Sequence, residues 1–477
     1  MNATLEKIEN LAKRRGIFYI SGEIYGGISG IYEYGHIGAR MKRKFENLWR
    51  KYFLSLNDNF YEIEPSTIMP KNVFVASGHI KNFVDPVVVC KKCGNVERAD
   101  TIIENVLHES FEGKSLDELS KIIKEHNIKC PKCGGEFSEA KYFNMMFPVK
   151  VGVFNVKEAF LRPETAQGVY VNFIREFNLT RKKLPLGLAI VGRAYRNEIS
   201  PRQLTLRQRE FTQAELQIFF DPDKIDQHDD WDSVKDYEII VKPINSDIKK
   251  MKCSDMTLPK FYVYYMAKVQ KFYLDILGIP ESKFRFRELS EEEKAFYNKY
   301  HWDIELYMDS IGKFKEVGGI HYRTDHDLSG HQEVSGVKQE IFFDGKKFIP
   351  HVLELSFGVD RNIFGMIDLG YDEKDRIILK IPRKISAFDV AVFPLVKKLS
   401  GKAREVYELI KSDFDAFYDE SGSIGRRYAR QDEIGTPFCI TIDFQTLSDD
   451  TVTVRYRDTG EQERIKISEI KKFLLTH

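Results

Sequence analysis

Between two apolar runs lies the stretch YRNEISPRQLTLRQREFTQAEL, residues 195 to 216, which places four arginines (Arg196, Arg202, Arg207, Arg209) and three glutamates (Glu198, Glu210, Glu215) in one polar segment. Apolar runs on both sides of a charged loop predict two β-strands joined as a hairpin. Arg196 and Glu198 then share one face of the first strand, and Arg207, Arg209 and Phe211 run through the start of the second. Arginine offers a planar fork that pairs bidentately with phosphate or carboxylate, and several together offset the charge that accumulates in an adenylyl-transfer transition state. The hairpin reads as a clamp for a triphosphate, with Phe211 placed to stack under a purine base. A solvated hairpin whose alternating charges pair with each other is the competing reading of the same residues.

A chain of 477 residues with 42% apolar content exceeds what one hydrophobic core usually organises, so two or three domains are expected. The formal charge of +1 excludes a uniformly basic nucleic-acid coat, although a neutral sum can hide a basic face opposite an acidic one. No stretch approaches the roughly 18 uninterrupted apolar residues of a membrane span. The opening MNATLEKIENLAKRRG is a charged amphipathic helix without the apolar core of a signal peptide, so a cytoplasmic protein with no membrane partner is expected. No GxxxxGK loop ending in Ser or Thr occurs, and no GxGxxG follows a strand, which leaves a P-loop or dinucleotide fold without support. YGHIGA (34 to 39) only partly matches the nucleotide motif HxGH: it lacks the last histidine and opens a helix.

Four of the six cysteines form two CxxCG units, Cys90/Cys93 and Cys130/Cys133, at the edges of a charged segment from about 85 to 140. That spacing lets two thiolates of each pair share one tetrahedral Zn²⁺, with reduced free thiols as the alternative. YFNMMFPVKVGVF and GLAIVGRAYRNE read as buried strands, and HVLELSFGVDRNIFGMIDLG as a strand passing through a glycine into a helix. The interval 221 to 300 is charged and then helical, with no chemistry attached. After a break at 379 to 388, the pattern DVAVFPLV, AREVYELIKSDFDAFYDESG, PFCITID and VTVRYRDTGEQERIKI makes a compact α/β unit.

The pattern RNE, loop, REF, then a glutamate four residues on resembles motif 2 of the class II aminoacyl-tRNA synthetases, and RNEISPR is similar to its glycyl form. FLRPETAQG (160 to 168), KEVGGIHYRTDHDL (315 to 328), ELSFGVDR (354 to 361) as motif 3 and a motif 1 candidate at 36 to 65 agree with it. The resemblance implies an α+β chain. A catalytic core on an antiparallel β-sheet flanked by helices spans 1 to 84 and 141 to 378. A zinc-knuckle insertion spans 85 to 140, and an α/β anticodon-binding domain spans 386 to 477.

It also implies roles. Arg196, Asn197, Glu198, Arg207, Gln208, Phe211, Glu316, Val317 and Arg361 bind ATP with Mg²⁺, and Arg196, Arg361 and Glu354 carry the catalytic charge stabilisation. Glu164, Glu215, Glu354 and Ser356 hold the glycine ammonium, and Arg98 its carboxylate. Three acids around one small cation suit a pocket that the ligand completes. The implied partners are glycine, ATP, tRNA(Gly) and a second copy of the chain, with the apolar stripe of MKRKFENLWRKYF as one candidate for the two-fold interface and for burial within one chain. In the C-terminal unit Arg426, Arg427, Tyr428 and Arg430 are candidates for contact with unpaired RNA. Leu355 replaces the family's proline after Glu354, which leaves that strand's exit looser. The alternatives are a non-catalytic nucleic-acid-binding protein of the same fold, of the polymerase accessory subunit type, and a class II synthetase for another small amino acid.

Overall fold

The computed structural model describes residues 3 to 477 apart from 110, 112, 155, 200, 202 and 296, so Arg202 of the charged hairpin lies outside the described residues. A nine-stranded sheet organises the larger part of the chain. Its strands are β1 (Phe60–Glu62), β2 (Leu186–Tyr195), β3 (Glu210–Phe220), β4 (Glu238–Lys242), β5 (Lys249–Lys252), β6 (Phe284–Glu288), β7 (Tyr300–Met308), β8 (Lys313–Thr324) and β9 (His351–Gly358). They lie in the order β5-β4-β6-β7-β8-β9-β3-β2-β1. The sheet is antiparallel except where β1 joins β2 and β4 joins β6, which pair in parallel. The hairpin reading holds: β2 and β3 pair from Leu186↔Phe219 to Tyr195↔Glu210. Arg196 and Glu198, however, lie beyond the end of β2 instead of on its face, because the ladder stops at Tyr195.

Alternation along the central strands sorts their side chains onto two faces. Ala214, Leu216 and Ile218 of β3 and Leu353, Leu355 and Phe357 of β9 point into the main apolar core. Helices α1 (His36–Phe53) and α3 (Val359–Gly370), with α2 (Lys260–Lys271) between them in sequence, pack in that core. The stripe Met41, Phe45, Trp49 and Phe53 of α1 is wholly buried within its own chain, with the Trp49 ring 5.9 Å from that of Phe357. Leu355 is fully buried in mid-strand, paired with Leu216 and Ile320, and β9 continues to Gly358, so its replacement of proline loosens nothing. Three strands and a helix come from the interval 221 to 300, which builds one end of the sheet.

YFNMMFPVKVGVF departs from the expectation of buried strands. It forms Lys141–Asn144 and Phe147–Val151, which join separate three-stranded sheets and leave most side chains partly or fully exposed. At the C-terminus, five strands take the order 416–418, 390–394, 438–442, 451–456, 462–466, the first three parallel and the last two antiparallel. Val392, Ile440, Val454 and Leu474 form a core of their own there. Arg40 and Lys44 of α1 reach Asp415 of this unit at 3.0 and 2.8 Å.

Candidate active site

The face of the sheet opposite the main core carries the chemistry. The same alternation that buries Leu216 and Leu355 turns Gln213, Glu215 and Gln217 of β3, Glu354 and Ser356 of β9, and His321 and Arg323 of β8 to this side. Register sets them beside each other: Glu215↔Ser356, Gln217↔Glu354 and His321↔Glu354. Glu164 joins from the loop before the short helix Ala166–Tyr170. All three glutamates are buried, yet their environments differ. Arg323, 1% exposed, donates to Asp327 at 2.8 Å, to Glu354 at 3.0 Å and to Glu164 at 3.3 Å. Burial opposes the charge of Glu354, but Arg323 and a hydrogen-bonded His321 hold it at about 2. Burial likewise opposes Glu164, which Arg323 and His79 keep well below the usual carboxylate range.

Among the described residues no cation is hydrogen-bonded to Glu215, although the charge of Arg162 reaches it. It accepts from Thr165 Oγ1 at 2.5 Å, Ser356 Oγ at 2.7 Å and Gln213 Nε2 at 2.8 Å. Burial, then the charges of Glu354 and Glu164, push it up to about 7. Of the three acids, Glu354 and Glu164 are already paired with cations, and Glu215 is the position where a ligand cation has most charge to neutralise.

The acid floor lies at the bottom of a cavity of about 400 Å³ whose mouth holds the hairpin residues. Arg196 is anchored through Nε to the Pro163 carbonyl at 3.1 Å, and its guanidinium carbon lies 5.4 and 5.3 Å from the ring centres of Phe83 and Phe211. Phe211 thus faces an arginine here. Glu198 accepts from Arg207 at 2.8 Å, and Arg209 donates to the Glu198 carbonyl at 2.9 Å. Arg361, in the first turn of α3, pairs with Glu316 at 2.8 Å, whose charge raises its pKa, and donates to the Leu206 carbonyl at 3.0 Å. Gln208 lines the same space with Nε2 on the Thr205 carbonyl. Val317 is buried and meets its neighbours through its carbonyl, which accepts from Asn362. Asn197 donates its backbone N–H to the Met145 carbonyl at 2.7 Å.

Of the assigned residues, Asn197 and Val317 do not line this cavity, and neither does Arg98. It pairs with Asp85 at 3.2 Å and Asp100 at 2.5 Å, near enough to the mouth for Glu198 and Arg207 to act on Asp85. Sequence reasoning missed Arg323, Asp327 and His321, although HYRTDHDL repeats charge at every second position; His321 and Arg323 lie at the end of β8 and Asp327 in the helix that follows, His326–Ser335. It also missed Arg287, Glu293, Tyr297, His301 and Asp303, which form one cavity wall. Asp360 was missed too. This buried carboxylate accepts from Tyr34 at 2.7 Å and the Thr212 N–H at 2.5 Å, and pairs with Lys42 at 3.2 Å, which fixes the turn that presents Arg361.

Away from the cavity, the Sγ atoms of Cys90, Cys93, Cys130 and Cys133 all lie within 4.8 Å of one another. Cys90 to Cys133 and Cys93 to Cys130 are 3.5 and 3.8 Å apart. Four thiolates at zinc's bond length of about 2.3 Å have an edge of about 3.8 Å in a tetrahedron, so the set fits the metal. The two knuckles are alike: the Gly94 and Gly134 N–H groups each donate to the first cysteine's carbonyl at 2.9 Å. A Cβ on Gly135 would come within 2.9 Å of the Cys90 sulfur.

The C-terminal basic run is mostly structural. Arg427 is buried against the Pro394 and Leu395 carbonyls. Arg430 pairs with Asp419 at 2.5 Å, and Tyr428 is held by Thr441 at 2.6 Å. Of this set, Arg426 is the exposed member.

A large antiparallel sheet with an arginine- and carboxylate-lined cleft defines the class II aminoacyl-tRNA synthetase core, and residues 150 to 368 match the model of the tRNA synthetase class II core domain (G, H, P, S and T). Residues 389 to 477 match the anticodon binding domain. The curated glycine–tRNA ligase of Pyrococcus furiosus is 41% identical over 98% of this chain and 98% of its own, and that of Methanococcus vannielii 39% identical over 98% and 99%. The chain belongs to the glycine–tRNA ligase family.

Proposed function

We propose that the protein activates glycine with ATP, forming glycyl-adenylate and pyrophosphate, and then transfers the glycyl group to the 3′ end of tRNA(Gly). The observation that carries this reading is the cavity in which Glu215, buried and without a hydrogen-bonded cation among the described residues, shares its walls with Arg196, Arg207 and Arg361. The glycine ammonium binds at Glu215 beside Ser356, with Glu164 and Glu354 adding negative potential. A glycine carboxylate oxygen attacks the α-phosphorus of ATP as the bond to the bridging oxygen of pyrophosphate breaks. No side chain acts as nucleophile. Arg196 stabilises the charge on the α-phosphate and Arg361 the leaving phosphates, while Arg207, Gln208 and Glu198 position the nucleotide. When bound with ATP, Mg²⁺ would supply further neutralisation of phosphate charge, and Glu316, beside Arg361, is the carboxylate on hand to hold it.

In this reading the chain divides into a catalytic core (1 to 84 and 141 to 378), an insertion (85 to 140) held by zinc on the four cysteines, and an anticodon-binding domain (386 to 477). Zinc fixes the fold of the segment that bears Arg98. Charging of tRNA occurs where translation does, which places the protein in the cytoplasm. A homodimer belongs to the same proposal. The α1 stripe is buried in its own chain, which leaves it no part in that interface. The arginine and glutamate set argues against a fold kept only for binding nucleic acid, since buried charges that serve nothing cost stability.

The test is aminoacylation of a tRNA(Gly) transcript with labelled glycine and ATP. Label in acid-precipitable RNA supports the proposal. Folded protein that binds the transcript and leaves it uncharged refutes it.

A further inference from the structure

Carboxylates that grip an ammonium group do so for every amino acid, so the acid floor by itself does not distinguish glycine from alanine. Some rigid group must occupy the space that a side chain would need. Tyr297, in the turn before β7, lines the cavity together with Glu164, Glu215, Glu354 and Ser356. Its ring centre is 4.1 Å from the guanidinium carbon of Arg323, and the Tyr170 ring is 5.3 Å from the same carbon. The Arg323 N–H groups point in the guanidinium plane at Glu164, Glu354 and Asp327. The Tyr297 ring therefore stands against the guanidinium that bridges Glu164 and Glu354, in the cavity that Glu215 and Ser356 also line. Arg323 is itself immobile, buried and bonded to three carboxylates, and the His326 ring, 5.9 Å from that of Tyr297, supports the tyrosine at the side.

We infer that Tyr297 is a specificity-determining residue: its ring, backed by Arg323, is the wall that admits the α-hydrogens of glycine and rejects an α-methyl group. This rests on the glycine-activating reading of the cavity. A ring backed by a fixed cation cannot yield as a flexible aliphatic side chain does, and rejection of a substrate larger than the space provided is the direction in which a binding site discriminates best.

The experiment compares kcat/KM for glycine and for L-alanine in ATP–pyrophosphate exchange by the full chain, as wild type, Tyr297→Phe and Tyr297→Ala. Tyr297→Phe keeps the ring and is expected to hold the glycine-to-alanine ratio within about twofold. Tyr297→Ala opens the wall and is expected to lower the ratio by about tenfold or more, the scale on which one methyl group is discriminated. A loss of activity equal for both amino acids, with the ratio unchanged in Tyr297→Ala, overturns the inference. If Tyr297→Ala supports no exchange, Tyr297→Leu decides by the same ratio: a fall supports the wall and an unchanged ratio overturns it. Wild-type protein that exchanges with no amino acid would instead refute the underlying reading.

Discussion

Moving from about pH 8 to about pH 6 should weaken the apparent affinity for glycine, because the position that receives its ammonium gains a proton. Burial, then the neighbouring charges of Glu354 and Glu164, place Glu215 at about 7. Its remaining surroundings are the Thr165 and Ser356 hydroxyls, the Gln213 amide and the more distant charge of Arg162. If only the ionised carboxylate binds, KM scales as 1 + 10^(pKa − pH), about 11 at pH 6 and about 1.1 at pH 8, so the glycine KM should fall about tenfold as pH rises across this interval. Glu354, held at about 2, stays ionised throughout and contributes no slope. The assay is the glycine KM in ATP–pyrophosphate exchange at saturating ATP. Glu215→Gln removes the charge and turns an amide toward donors, so the loss of a charged hydrogen bond of about 1.5–3 kcal/mol should raise KM by roughly 10- to 150-fold. Its KM should also lose the tenfold slope that Glu215 supplies. A wild-type KM that is constant over the interval, or a Glu215→Gln enzyme that keeps the slope, refutes the assignment of the ammonium to Glu215.

Three further outcomes are expected. Arg323→Met leaves three buried carboxylates without their cation and should cost about 3–5 kcal/mol in urea unfolding, a prediction that an unchanged midpoint contradicts. Metal analysis of purified protein should find about one zinc per chain, reduced in Cys130→Ser, and active protein free of zinc would exclude a structural metal. Arg427→Ala should lower the melting temperature through its buried carbonyl contacts, whereas Arg426→Ala should weaken tRNA binding at unchanged melting temperature. The reverse pattern would return Arg427 to the RNA surface.

What could be read from the residues and what could not divide on physical lines. The β2–β3 hairpin was legible because two long apolar runs flank a charged loop, and the CxxCG pairs because metal-ligand spacing is local. Motif residues such as Glu164, Glu215 and Arg361 are brought to one cavity as the resemblance required. Arg323 was not legible, because its burial depends on Glu164 and Glu354, 159 and 31 positions away. Lys249–Lys252 reads KKMK and gives no apolar period, yet becomes an edge strand because β4 offers it a ladder. GRRYAR was read as an RNA-facing run because a basic helix shows its charge in sequence. Only packing reveals that Arg427 and Tyr428 turn inward, to Pro394 and Thr441.

The most direct test of the account is ATP–pyrophosphate exchange with glycine, alanine and serine, in wild type and in Arg196→Ala. Exchange is expected with glycine alone, and its loss in the variant at unchanged folded content. Wild-type protein that is folded and binds tRNA, yet shows no exchange with any amino acid, would contradict it.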